Sequence, residues 1–276
     1  MSVAYALVVA SITGVPLALG PGTAGAANHA ASGPYAVGQY VPNATDGPAF
    51  TCVDVEPLGD RTLNGSEYYD YGRSFSSMGT IDLQDPFLSQ FYVYDGSDGT
   101  SLLFLHSKVT NTTGATGGAV TFDVTGLPTD GEWTVEDDNY SALGYDPENQ
   151  SDSFVHEGSH SRLKWRYSHN RTDGAVFRGL GSDGWTEITI DPAFREEALG
   201  PDEDWIHADE GPNEWVVRSR DGNTTALDMD EPVSIRQGPC GSVAPSAALS
   251  APAEATAESD VTLNATNPAS PTSPVR

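Results

Sequence analysis

Lysine is nearly missing from this chain. Only Lys108 and Lys164 occur, and eleven arginines bring the basic residues to 13 against 39 Asp and Glu. The formal net charge is −26 and the sequence pI is near 4.2. So few cations exclude the clustered Lys and Arg that phosphate contacts need, and with them a nucleic-acid partner. An anionic membrane surface is excluded on the same ground. Cysteine is as scarce, with Cys52 and Cys240 alone. The sequence has no P-loop, dinucleotide fingerprint or G-x-S-x-G elbow. Past the first 20 or so residues it has no apolar run long enough to span a bilayer, so no membrane span is expected in the mature chain.

What is present is apolar enough to fold. Hydrophobic residues make up 38% of the chain, and its five Trp, eleven Tyr and nine Phe lie mostly in the middle. The acid is therefore read as surface rather than as a mark of disorder. A folded domain this acidic repels itself in dilute buffer, and molar salt screens that repulsion to a Debye length of about 3 Å. Scarce Lys, abundant Asp and frequent Gly, Thr and Ser resemble the proteins of salt-adapted archaea.

The address reads as export. Residues 1–27 run from an apolar stretch, Ala4–Ala10 and Ile12–Leu19, into Ala24-Gly25-Ala26, which fits a signal-peptidase site. In a secreted or cell-surface chain the even pair Cys52 and Cys240 reads as one disulfide clamping the two ends of a domain. Eight N-x-[ST] sequons, at Asn43, Asn64, Asn111, Asn139, Asn149, Asn170, Asn223 and Asn264, mark the chain as a candidate glycoprotein.

Residues 28–49 read as a polar lead-in and 50–240 as the folded domain. Short β-rich runs recur there between turn signals such as Asp95-Gly96-Ser97-Asp98-Gly99, Thr129-Asp130-Gly131 and Asp221-Gly222. Strands are expected near 50–55, 90–94, 102–108, 120–124, 133–136, 162–167, 175–178, 186–190, 215–219 and 232–235. Leu163, Trp165 and Tyr167 alternate with Arg162, Lys164 and Arg166, the period-2 pattern of a strand with one apolar face. One helix is expected, 192–199, with Asp191 as N-cap, Pro192 at its first position and Gly200 as its stop. The fold class is all-β: a β-sandwich or jelly-roll-like domain with one short helix. Trp133, Trp165 and Trp215 lie within strand runs and are read as core, whereas Trp185 and Trp205 lie nearer loops.

After Cys240 the composition turns to Ala, Pro, Ser and Thr, and 241–276 reads as a linker or a partial module. The stretch from Pro245 to Thr266, closing on Val261-Thr262-Leu263-Asn264-Ala265, resembles the opening of a PKD-type immunoglobulin-like module. Together with Asp85-Pro86-Phe87, Gly131-Glu132-Trp133 and Arg171-Thr172-Asp173-Gly174, the chain resembles uncharacterised haloarchaeal surface proteins that carry such modules. That resemblance implies an extracellular setting and no particular chemistry.

Two constellations could carry chemistry. His156-Glu157-Gly158-Ser159-His160 matches H-E-x-x-H, in which two histidines one helical turn apart hold Zn²⁺ and the Glu activates water. The match needs a helix, yet Gly158 and Ser159 are poor helix formers and the run that follows alternates like a strand. The acidic pairs Asp95 with Asp98 and Asp137 with Asp138 offer oxygen ligands to calcium, the one cofactor the sequence suggests. The leading expectation is a non-catalytic, glycosylated extracellular protein with an adhesion, envelope or ligand-display role, its partners being polysaccharide or cell-surface components. A carbohydrate-binding sandwich and a zinc-dependent hydrolase acting through His156 and His160 are the alternatives.

Overall fold

The computed structural model describes residues 33–42, 49–72, 76–107, 117–139, 152–168, 171–181, 185–194 and 211–242. In chain order its elements begin with β1 (Tyr35–Val41), β2 (Ala49–Val55), the short helix α1 (Gly65–Tyr69), and two-residue strands β3 (Tyr71–Gly72) and β4 (Ser76–Ser77). Then come β5 (Leu88–Gly96), β6 (Gly99–His106), β7 (Gly117–Thr125), β8 (Glu132–Glu136), β9 (Ser153–Glu157) and β10 (His160–Ser168). The series closes with β11 (Asp173–Arg178), β12 (Ile188–Phe194), β13 (Glu214–Arg218), β14 (Thr224–Leu227) and β15 (Val233–Gln237).

Thirteen of the described strands form two sheets. One has the order β2-β1-β15-β12-β7-β10-β9, the other β14-β13-β5-β6-β11-β8. Every pairing is antiparallel except β13 on β5. The fold is all-β, and the two sheets pack face to face as a sandwich. Phe91, Phe104 and Trp215 from one sheet meet Phe122, Trp165 and Phe194 from the other, with ring centroids 5.6 Å apart for Phe104–Phe122 and for Phe122–Trp215. On β10 the alternation holds residue by residue: Leu163, Trp165 and Tyr167 are buried and Arg162, Lys164 and Arg166 are half-exposed.

The continuous apolar runs of β5 and β6 have a different cause. Their outer face is also covered, because Tyr69 of α1, with Leu58, Tyr68 and Leu83, packs on Tyr92, Tyr94, Leu103, Leu105 and Val176 as a second, smaller core. Tyr68 stacks on Tyr94 with centroids 4.4 Å apart. A strand buried on both faces loses its alternation.

Two sequence expectations need correction. The lead-in 28–49 is partly sheet: β1 lies between β2 and β15, and Tyr35, Ala36 and Val37 belong to the core. Its buried Gln39 donates from Nε2 to the carbonyls of Asp228 and Glu231 at 2.8 and 2.7 Å and accepts from the Asp228 N–H at 2.7 Å. The expected helix 192–199 is strand over its described part, where Pro192, Ala193 and Phe194 pair with Phe122, Thr121 and Val120 of β7. The ladder from β15 ends at Ile190, so Pro192 lies where β12 is paired on one side only, a position that tolerates a residue without an N–H. Residues 195–199 lie outside the described residues. Among the described residues the α-helix that forms is α1. It is held by a reciprocal capping box in which Asn64 accepts from the Glu67 N–H and Glu67 accepts from the Asn64 N–H, both at 2.9 Å. Residues 1–27, expected to be a signal peptide, and the stretch beyond Ser242, expected to be a linker or partial module, also lie outside the described residues.

The disulfide forms as expected, joining Cys52 of β2 to Cys240 in a 3₁₀ turn after β15, across 188 residues of sequence.

Candidate functional site

The most unusual chemistry in the molecule is a group of buried carboxyls. Asp137 and Asp138 follow β8, Asp152 precedes β9, and Asp173 opens β11; their relative exposures are 0, 7, 2 and 0%. Local structure sets each one. Asp138 adopts the left-handed conformation (φ 55°), which Asp tolerates better than most residues and which ends β8 sharply. The Asp137 N–H donates to the Gly174 carbonyl at 3.2 Å and so ties the turn to β11. The Asp152 carboxyl caps the Arg166 N–H of β10 at 2.8 Å through Oδ1. Asp173 Oδ1 accepts the Gly174 N–H at 3.0 Å.

Two tyrosines on the covering segment reach down to this group. Tyr69 donates its hydroxyl to Asp137 Oδ2 at 2.6 Å, and the Tyr71 hydroxyl donates to Asp138 Oδ1. The side chain of Gly174 is a hydrogen for good reason, since a Cβ there would lie 2.1 Å from the Phe104 carbonyl oxygen and 2.9 Å from the Tyr69 hydroxyl.

The electrostatics follow from burial. Desolvation, and then the charges of the other members, hold the carboxyls of Asp152 and Asp173 well above the ordinary carboxylate range. Asp137 is raised by desolvation first, with Asp138 adding to it against the opposing bond from Tyr69. Asp152 and Asp173 are close enough to share a proton. Burial also drives the Tyr69 hydroxyl far up, so it stays a donor. Even so, apart from a proton shared within the group, no protein N–H or O–H reaches Asp137 Oδ1, Asp152 Oδ2 or Asp173 Oδ2. Each unsatisfied buried oxygen costs about 1–3 kcal/mol.

Of the four acids expected to bind calcium, only Asp137 and Asp138 join this group. Asp95 is ion-paired with Arg61 at 2.9 Å and Asp98 with Arg178 at 2.9 Å, both around the β5–β6 hairpin. Asp152 and Asp173 escaped sequence reading because nothing local marks a burial made by β10 and β11. Among the described residues, no three His, Cys, Asp or Glu side chains form a ready-made metal cage.

The H-E-x-x-H stretch is a β-hairpin, not a helix. Glu157 pairs with His160 and His156 with Ser161 across a two-residue Gly158-Ser159 turn, with Gly158 at φ 63°. The two imidazoles therefore lie on opposite faces of the sheet. His156 stacks on Trp133 (5.7 Å) and contacts Ser161 through Nδ1 at 2.9 Å, whereas His160 Nε2 contacts Asp123 at 3.0 Å. They cannot hold one zinc ion together.

A second row is of interest. Ser89, His106 and Asp173 are successive cross-strand neighbours on β5, β6 and β11, with Ser89 Oγ 3.0 Å from His106 Nδ1. All three are fully buried, and His106 Nε2 has no partner. A serine with no exposed surface cannot meet a substrate carbonyl, so the row is packing. Desolvation lowers the His106 pKa from 6.5 to about 3, and the ring is neutral.

Three sequons fall on described residues. Asn223 is exposed in the Ser219–Asn223 turn, and Asn64 and Asn139 are half-buried. The sites at Asn43, Asn111, Asn149, Asn170 and Asn264 lie outside the described residues, as does Trp205. Trp165 and Trp215 are core, Trp133 packs partly buried against it, and Trp185 is partly exposed. Trp185 stacks on Tyr35 (6.3 Å, 9° between planes) beside a surface hollow of about 450 Å³, which is also lined by Thr129, Asp130, Ser159, Thr186 and Glu187.

Fold and site together define a disulfide-closed, all-β sandwich with an internal carboxyl group. Comparison with known proteins finds no matching family model, curated protein or solved structure.

Proposed function

We propose that this chain is a non-catalytic extracellular surface module of a salt-adapted organism, serving adhesion, envelope structure or ligand display. The observation that carries this reading is the Cys52–Cys240 disulfide, which closes 188 residues and belongs in an oxidising compartment, since disulfides are rare in the cytosol. The net charge of −26 suits a molecule bathed in salt. The test is fractionation of the source organism followed by peptide mass spectrometry. The expected result is a protein in the envelope or medium, with an oxidised Cys52–Cys240 pair, an N-terminus near Ala27 and glycan on Asn223. Recovery from the cytosol with both thiols reduced would overturn the reading.

One feature favours a carbohydrate ligand for such a module. The hollow beside Trp185 combines an indole with the hydroxyls of Thr129, Thr186 and Ser159 and the carboxylate of Asp130, a set suited to stacking a pyranose ring and accepting its hydroxyl protons. A glycan microarray in molar salt should give binding that Trp185→Ala removes. An array without a hit, or binding that survives Trp185→Ala, would remove sugar recognition at this hollow and leave the extracellular reading standing.

A further inference from the structure

We propose that Asp137, Asp138, Asp152 and Asp173 form a calcium site inside the end of the sandwich where β8, β9 and β11 meet. The buried group brings four carboxyls together from three separated segments. The charges acting on Asp152 and Asp173 are those of the other carboxyls, so each raises the cost of ionising the next. Independently of that crowding, Asp137 Oδ1, Asp152 Oδ2 and Asp173 Oδ2, all in fully or almost fully buried side chains, receive no hydrogen bond from any residue outside the group. Oxygens left so in a packed interior call for a ligand that supplies positive charge.

A proton shared between Asp152 and Asp173 serves those two oxygens only. A divalent ion brings two positive charges to the same place and takes several oxygens at once. The donor set is all oxygen, which selects a hard cation over zinc or copper. The carboxyls are buried, with Tyr69 and Tyr71 bonded to two of them, so an ion there must shed most of its water. Calcium accepts irregular carboxylate shells of six to eight oxygens, whereas magnesium holds its water and demands a regular octahedron. As they stand, no three of these carboxyls form a finished cage. Calcium would displace the shared proton and draw the three free oxygens inward. The structural consequence is a cross-link: one ion would tie the β8 turn, the approach to β9 and the start of β11, with Tyr69 and Tyr71 extending the tie to the covering segment.

The test uses the full-length protein in molar NaCl at neutral pH, stripped with a chelator. Adding about 10 mM CaCl₂ should raise the thermal midpoint by about 5 °C, with a smaller rise for MgCl₂. Asp173→Asn and Asp152→Asn keep the side-chain shape and remove a like charge. They should match or exceed the calcium-free midpoint of the unaltered protein and lose the calcium response. Asp98→Asn, on the exposed hairpin, should keep it. Terbium(III) supplies a second readout that needs no variant: tyrosine-sensitised emission should appear at one ion per chain and fall as calcium is added. A calcium response retained in Asp173→Asn, no response in the unaltered protein, or terbium emission that calcium does not displace would each overturn the site. None of these outcomes bears on whether the protein is exported.

Discussion

Single side chains divide the core by whether their polar atoms are served. Trp165 and Trp215 are both fully buried, but the Trp165 indole N–H donates to the Gly174 carbonyl at 3.0 Å while that of Trp215 has no partner. Trp165→Phe should therefore cost about 1 kcal/mol more than Trp215→Phe in urea unfolding, because it breaks a bond whereas the other removes an unpaired donor. Equal costs would mean that packing alone sets both. His106 gives a pH dependence of known sign. Its folded pKa of about 3 lies below the ordinary 6.5, so its contribution is complete above 6.5 and is lost as pH falls through that window toward 3. Compared with His106→Phe, the natural protein should lose stability between pH 6.5 and 4 at a slope approaching 1.4 kcal/mol per pH unit. Parallel stability curves for the two proteins would show that the imidazole stays accessible to protons. The sequence made Trp165 and Trp215 legible as core through strand periodicity. It gave no sign that His106, Asp152 and Asp173 are buried, because each owes its burial to neighbours far along the chain.

At the level of elements, what could be read ahead followed period and punctuation. β10 was evident from its alternation, and the β5–β6 hairpin from Asp95-Gly96-Ser97-Asp98-Gly99 between apolar runs. The expected helix after Asp191 failed because capping residues are weak local signals, and the ladder between β7 and β12, with Phe194 packing on Phe122 and Trp215, outweighs them. His156 and His160 match a helical zinc spacing, but Gly158 and Ser159 already argue against a helix, and the hairpin register sets the two imidazoles on opposite faces. β1 was missed because Gly38, Gln39 and Tyr40 break its apolar pattern, yet Gln39 is what fixes it to the β14–β15 loop. Gln39→Leu should leave the Asp228 N–H and two carbonyls unpaired and cost about 2–4 kcal/mol, read as a lowered unfolding midpoint. A cost under about 0.5 kcal/mol would mean that water replaces the side chain without loss.

For the whole molecule, charge and the single covalent tie decide the conditions under which it stays folded. Reducing NaCl from about 2 M to about 0.1 M lengthens the Debye distance from a few ångströms to about 10 Å, and a chain of net charge −26 should melt at lower temperature. A melting temperature indifferent to salt would remove the case for salt adaptation. The acidity, the two-sheet architecture and the disulfide were all legible from composition, alternation and cysteine parity. The order of strands within each sheet was not, because register between distant segments leaves no local trace.

The position of the disulfide has a mechanical consequence. Cys52 and Cys240 bracket every described strand after β2, and only β1 and the first part of β2 come before the bracket. Tension pulling the segment beyond Ser242 away from the segment before Tyr35 would pass through the sulfur–sulfur bond and around the intervening 188 residues. Under such a pull β1 could be stripped from its neighbours, while the rest of the sandwich, carboxyl group included, would lie outside the line of force. A molecule tethered at its two ends would lengthen by one hairpin and then stop.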